Sequence, residues 1–84
     1  MNKHTLFKKI LSGSDNIRFD DVVKVVEAFG FRLSRINGGH HIFKHHQIPN
    51  LLNLQNLKGK AKPYQIRQFL ALMDEYNLTI EDDK

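Results

Sequence analysis

Asn37-Gly38-Gly39 limits what this chain can fold into more than any other segment. Asn-Gly is the strongest short hairpin signal, because the turn that suits two right-handed-twisted strands needs backbone angles that these residues tolerate. Residues 31–34 ahead of it alternate apolar and polar, as a half-buried strand does. His41-Ile42-Phe43-Lys44 forms the returning strand, with Gly39 widening the turn. After a turn near 47–50, residues 51–55 read as a third strand, and residues 56–62 as a lysine-bearing loop.

Helical periods flank this β segment. Leu6, Phe7, Ile10 and Leu11 give a short amphipathic helix over 3–11, ended by the turn formers Ser12-Gly13-Ser14-Asp15-Asn16. A second helix starts near Phe19-Asp20, with Asp20 or Asp21 as cap, and buries Val22, Val23, Val25, Val26 and Phe29. Gly30 suits the left-handed residue that stops it. Pro63 fits the first position of a last helix, since its missing N–H costs nothing there. Ile66, Phe69, Leu70 and Met73 supply that helix's stripe through to Tyr76, and Asn77 ends it.

The order α-α-β-β-β-α predicts an α+β fold: a three-stranded antiparallel meander, helices on one face, the other face open to solvent or ligand. With 84 residues the chain has room for one domain. Within 1–84 we expect a helical extension and linker at 1–17, a core at 18–77 and a frayed acidic tail at 78–84. The absence of Cys excludes disulfides and thiolate metal sites, and suits a reducing cytoplasm. No apolar run approaches the length of a membrane span, and the first residues lack a signal-peptide core.

Charge is distributed unevenly. Residues 28–73 hold seven Lys and Arg (Arg32, Arg35, Lys44, Lys58, Lys60, Lys62, Arg67) and no Asp or Glu, while 74–84 carries five acids. Solvated faces ordinarily mix signs; an unmixed positive field attracts polyanions, nucleic acid first among them. The missing carboxylates also remove paired-carboxylate hydrolysis and carboxylate-held Mg²⁺ from the central segment. Phosphate-binding loops, dinucleotide fingerprints and Ser or Cys nucleophile motifs are absent as well.

His40, His41, His45 and His46 invite three readings. As metal ligands they are badly spaced: on a strand, His41 and His45 share a face but stand about 13 Å apart, and a zinc ligand must lie about 2 Å from the ion. As an acid–base group, an imidazole beside two glycines sits where a phosphate can approach the backbone closely, and RNA supplies its own nucleophile in the 2′-OH. As a binding surface without chemistry, basic strands with Phe43 and Tyr64 would hold phosphates and stack bases. The bland counterparts are a surface histidine, a core Phe43 and a Tyr64 packed on the last helix.

Gly30-Phe31-Arg32-Leu33, then Gly38-Gly39-His40-His41-Ile42-Phe43-Lys44-His45, then Lys60-Ala61-Lys62-Pro63-Tyr64 before a closing helix resembles the HicA toxin family over about residues 20–76. The resemblance implies a fold like the double-stranded-RNA-binding domain. It also implies a type II toxin–antitoxin pair, metal-independent cleavage of single-stranded mRNA without a cofactor, and a HicB-like antitoxin covering the active site. The family's motif histidine falls on His40, the implied general base, with His41 as second choice. Gly38, Gly39, Lys44, Lys58, Lys60 and Lys62 are the candidate RNA contacts, the lysines on charge alone. Two positions depart from the family pattern: Gly39 stands in place of its Ser, and His45-His46 in place of its His-Pro. The alternative is a non-catalytic RNA-binding or protein-interaction module.

Overall fold

The computed structural model describes residues 2–13 and 16–81. Ser14 and Asp15 of the expected turn, and residues 82–84 of the tail, lie outside the described residues. The elements are α1 (Lys3–Leu11), α2 (Phe19–Ala28), β1 (Arg32–Asn37), β2 (His40–His45), β3 (Ile48–Leu57), β4 (Lys60–Ala61) and α3 (Pro63–Glu75). The fold is α+β, with one antiparallel sheet in the order β1-β2-β3-β4.

Period-two alternation decides which side of the sheet is covered. Phe43 and His45 of β2, Leu52 and Leu54 of β3 and Ala61 of β4 are buried. The apolar ones among them share one core with Val22, Val25 and Val26 of α2 and with Ile66 and Phe69 of α3. The expected N-terminal extension adds to that core: Leu6 and Ile10 of α1 are buried, and the Phe7 ring meets Phe29 edge-on at 4.9 Å.

The sheet has four strands where the sequence predicts three. β3 runs on to Leu57, and the chain then reverses through Lys58-Gly59, both at positive φ (53° and 83°). Asn56 Oδ1 accepts from the Gly59 N–H at 2.8 Å and braces this turn. Two residues of β4 then pair back, Leu57 with Lys60 and Asn56 with Ala61. So short a strand carries no alternation to read. The segment expected as a loop is therefore mostly strand and tight turn. The preceding turn falls at His46-Gln47, earlier than 47–50.

α2 starts at Phe19 with Arg18 as its N-cap residue and no side-chain cap, so neither Asp20 nor Asp21 caps it. Both acids lie in the first turn, where they favour the positive helix end. The Phe19 N–H donates instead to Gly59 O at 2.9 Å, which ties α2 to the β3–β4 turn. At its other end Gly30 has φ 98°, with Gly30 N–H bonded to Glu27 O and Phe31 N–H to Val26 O. That pair of bonds is a Schellman motif. Asn77, at φ 54°, closes α3 the same way through Leu78 N–H to Met73 O.

Two other expectations meet a different arrangement. β1 is exposed along its whole length, with Leu33 at 44% and Ile36 at 56%, because it is an edge strand of the sheet and the helices leave its side chains uncovered. Residues 78–81 of the expected frayed tail are held: Leu78 and Ile80 pack on the core, and the Glu81 N–H donates to Ala28 O at 2.6 Å. Among the described residues no helix is long and apolar enough to cross a membrane.

Two of the left-handed positions, Gly30 and Lys58, respond oppositely to substitution. A Cβ on Gly30 would meet the Glu81 carboxylate and stand 2.8 Å from His45 Nε2, in a backbone conformation that already disfavours it. Gly30→Ala should cost about 2 kcal/mol or more. Lys58→Gly relieves a strained turn residue and should stabilise by about 1 kcal/mol. Urea unfolding followed by far-UV circular dichroism measures both.

Candidate active site

The β1–β2 hairpin closes at Asn37 opposite His40, so its loop is the two residues Gly38-Gly39, not the wider turn expected. Gly38 takes φ 63°. Gly39 sits close to β3: a Cβ there would stand 3.2 Å from the Asn56 carbonyl oxygen, a tight contact, while Asn56 N–H donates to Gly39 O at 2.9 Å. The hairpin end is thereby clasped to the end of β3 and set beside the Lys58-Gly59 turn.

From His40 the side chains of β2 alternate, and the four histidines separate. His41 turns toward the helices, its ring 4.7 Å from that of Phe19 and its Nδ1 3.3 Å from Gly39 O. His45 is buried. Its Nε2–H donates to Phe29 O at 3.0 Å, and its Nδ1 accepts from the Gln47 N–H at 3.1 Å. Both ring nitrogens are thus used in holding the fold, a tautomer assigned by these partners. His46 is exposed and stacks on the His45 ring at 4.7 Å.

His40 faces the open side of the sheet, half-buried, with Nδ1 3.2 Å from Asn53 Oδ1, and among the described residues nothing hydrogen-bonds its Nε2. Across the strands it sits in the row Asn37, His40, Gln55, and the next row is Arg35, Ile42, Asn53. Gln55 is fixed from behind. Its N–H lies beyond the reach of the two-residue β4 and donates to Oε1 of the buried Gln65, at 2.6 Å. Asn53 and Gln55 are neighbours that the sequence reading did not name, and Arg35 entered it only as part of the positive charge of residues 28–73. The alternation that buries Leu52 and Leu54 is the signal that puts Asn53 and Gln55 on the opposite face.

The candidate lysines do not form one cluster. Lys60 shares the open face, opposite Leu57, and Arg18 pairs with it across a single bridge. Lys58 occupies the adjoining turn, and Lys62 the N-cap of α3, its ammonium 5.8 Å from the centre of the Tyr64 ring. These lie at the His40 end. Lys44 faces the same way but pairs with Arg32 at the far end of the hairpin, about 13 Å along the strand from His40. Arg32 itself is engaged with the carbonyls of Glu27 and Phe31 and with Glu81 at 3.7 Å.

Phe43 is 1% exposed, a core residue and not a stacking platform, whereas Tyr64, expected to pack on the last helix, is open to solvent. No Asp or Glu belongs to any strand of the sheet. Among the described residues no three His, Cys, Asp or Glu side chains converge as metal ligands. A hollow of about 670 Å³ lies elsewhere, lined by Lys3, Lys24, Glu27, Arg32 and Glu81, with both signs of charge. Among the described residues the open face thus presents amides, cations and an imidazole whose Nε2 has no protein partner, and no strand carries a carboxylate.

Comparison with known proteins adds one finding. A model of the HicA toxin of bacterial toxin–antitoxin systems matches residues 19–74, from the first residue of α2 into the last turn of α3. Searches of curated proteins and of solved structures each found no match. The matched span holds the whole sheet, the glycine hairpin and His40, and leaves out residues 1–18, with α1, and residues 75–84. By this match, and with the ordered helix, hairpin and proline-started helix on which it rests, the chain belongs to the HicA toxin family of bacterial toxin–antitoxin systems.

Proposed function

We propose that the protein is an endoribonuclease toxin that cleaves single-stranded mRNA, with His40 as general base, and that a HicB-like antitoxin neutralises it in the cytoplasm. One observation carries the reading: the half-buried His40 on a carboxylate-free face, tethered at Nδ1 and open at Nε2. Family membership supports the RNA substrate and the protein partner. We read the layout of helices on one face as akin to the double-stranded-RNA-binding domain, with β4 an added edge strand.

The chemistry needs little equipment. His40 Nε2 takes the proton from a ribose 2′-OH as the 2′-oxygen attacks the adjacent phosphorus. The bond from phosphorus to the 5′-oxygen breaks, and that oxygen takes a proton back from the imidazolium. The products are a 2′,3′-cyclic phosphate and a 5′-hydroxyl. Gly38 and Gly39, lacking side chains, admit the phosphate backbone. Lys58, Lys60 and Lys62 offset the charge that grows on the phosphorane, and Lys44 holds a more distant phosphate.

His41, packed on Phe19, is the weaker candidate for the base. In EDTA at pH 7 with a fluorescent mixed-sequence RNA, His40→Ala should lose about 10²- to 10⁴-fold in cleavage rate while still binding. His41→Ala should keep most of its rate. Binding by the wild type with no cleavage at any protein concentration would overturn the enzyme and leave an RNA-binding module.

The lysines are tested by salt. Replacing Lys58, Lys60 and Lys62 together with Ala should weaken RNA binding and reduce the slope of log K against log salt by about 2, at roughly 0.7 per phosphate contact. An unchanged slope would remove these side chains from the RNA path.

A further inference from the structure

We infer that Asn53 is a positioning residue for the reaction, holding the His40 imidazole in the tautomer that a general base requires; the inference rests on His40 being that base. Asn53 lies on β3 opposite Ile42, diagonal to His40 on the open face, and is half-buried. Its Oδ1 is 3.2 Å from His40 Nδ1. A carbonyl oxygen only accepts, so the hydrogen of the neutral ring sits on Nδ1 and the lone pair on Nε2. Without such a partner imidazole favours the other tautomer, which would turn an N–H toward the 2′-OH.

The choice of an amide has a physical rationale. A carboxylate in this place would also orient the ring, as in the Ser-His-Asp arrangement. It would stabilise the imidazolium, however, and repel the phosphates that the face must receive. No strand of the sheet supplies a negative charge near His40: Asn37 and Gln55 flank it, and the charged residues on the other strands, Arg32, Arg35 and Lys60, are cations. Asn53 fixes the tautomer and leaves the field positive. Gln55, directly opposite His40, makes no side-chain bond to it; its backbone is held by Gln65.

The tautomer can be read without any activity, from two-bond ¹H–¹⁵N correlations of the imidazole in the folded protein. His40 should carry its proton on Nδ1 in the wild type and move toward Nε2–H in Asn53→Leu, with the other histidine signals unchanged. Cleavage by Asn53→Leu should fall about tenfold in kcat with KM unmoved, a smaller loss than that of His40→Ala. Asn53→Asp should restore the Nδ1–H tautomer. Because only the neutral ring is a base and a carboxylate favours the charged one, its rise of rate with pH should move to higher pH.

Wild-type His40 with its proton on Nε2, or Asn53→Leu with unchanged tautomer and kcat, would overturn the inference. Full cleavage by His40→Ala would instead overturn the assignment of the base. The spectrum would still decide the contact with Asn53.

Discussion

The seating of Phe43 and His45 under the helices determines the direction of every other side chain on β2. Phe43 fills the core, and His45 donates to the carbonyl of Phe29, the C-cap residue of α2, whose carbonyl has no intrahelical partner. A slip of one residue would exchange the two faces, burying Lys44 and exposing Phe43, which the pairing cannot tolerate. The bond also explains the glycine at the end of α2, since His45 Nε2 lies where a Cβ on residue 30 would need room. Once this row is fixed inward, His40, Ile42 and Lys44 must face outward. The outward position of His40 is thus a product of packing three and five residues away.

The sheet's other face is built by exclusion. Each strand contributes amides, aliphatic groups or cations to it, and none contributes an acid. Among the described residues the acids lie on α2 (Asp20, Asp21, Glu27), at the end of α3 (Asp74, Glu75) and at Glu81, none of them on a strand. Glu81 keeps Arg32 company. Edge strand β1 is exposed throughout, and its bulge between Leu33 and Arg35, with two arginines, makes it a poor template for pairing with another copy.

How much of this could be read from residues alone depended on whether the signal was local. The bounds of α1 and the ends of α2 and α3 were legible, because Gly30, Pro63 and Asn77 act within a turn of where they sit. The hairpin was legible in Asn37-Gly38. β4 was not, since two residues have no period and the strand exists only because Lys58-Gly59 turns tightly. The exposure of β1 depends on strand order, which alternation does not encode. Asp20 and Asp21 resemble caps until the Gly59 carbonyl, far along the chain, takes the Phe19 N–H. The contact between Asn53 and His40 spans thirteen residues and is fixed by register alone. The motif located the histidines, and folding gave them separate roles.

That separation changes what a genetic screen of the chain would report. His40 and His45 lie on one strand and look equivalent in a list of inactivating substitutions. A lesion at 45 removes a donor to Phe29 O and an acceptor for Gln47 N–H, so the phenotype follows how much folded protein accumulates. His40 is half-buried on the open face with a side-chain contact to Asn53, so under the proposed role a lesion at 40 acts mainly on what each molecule does. Phenotypes along this strand are therefore interpretable only beside protein abundance, because alternate positions act through two different variables.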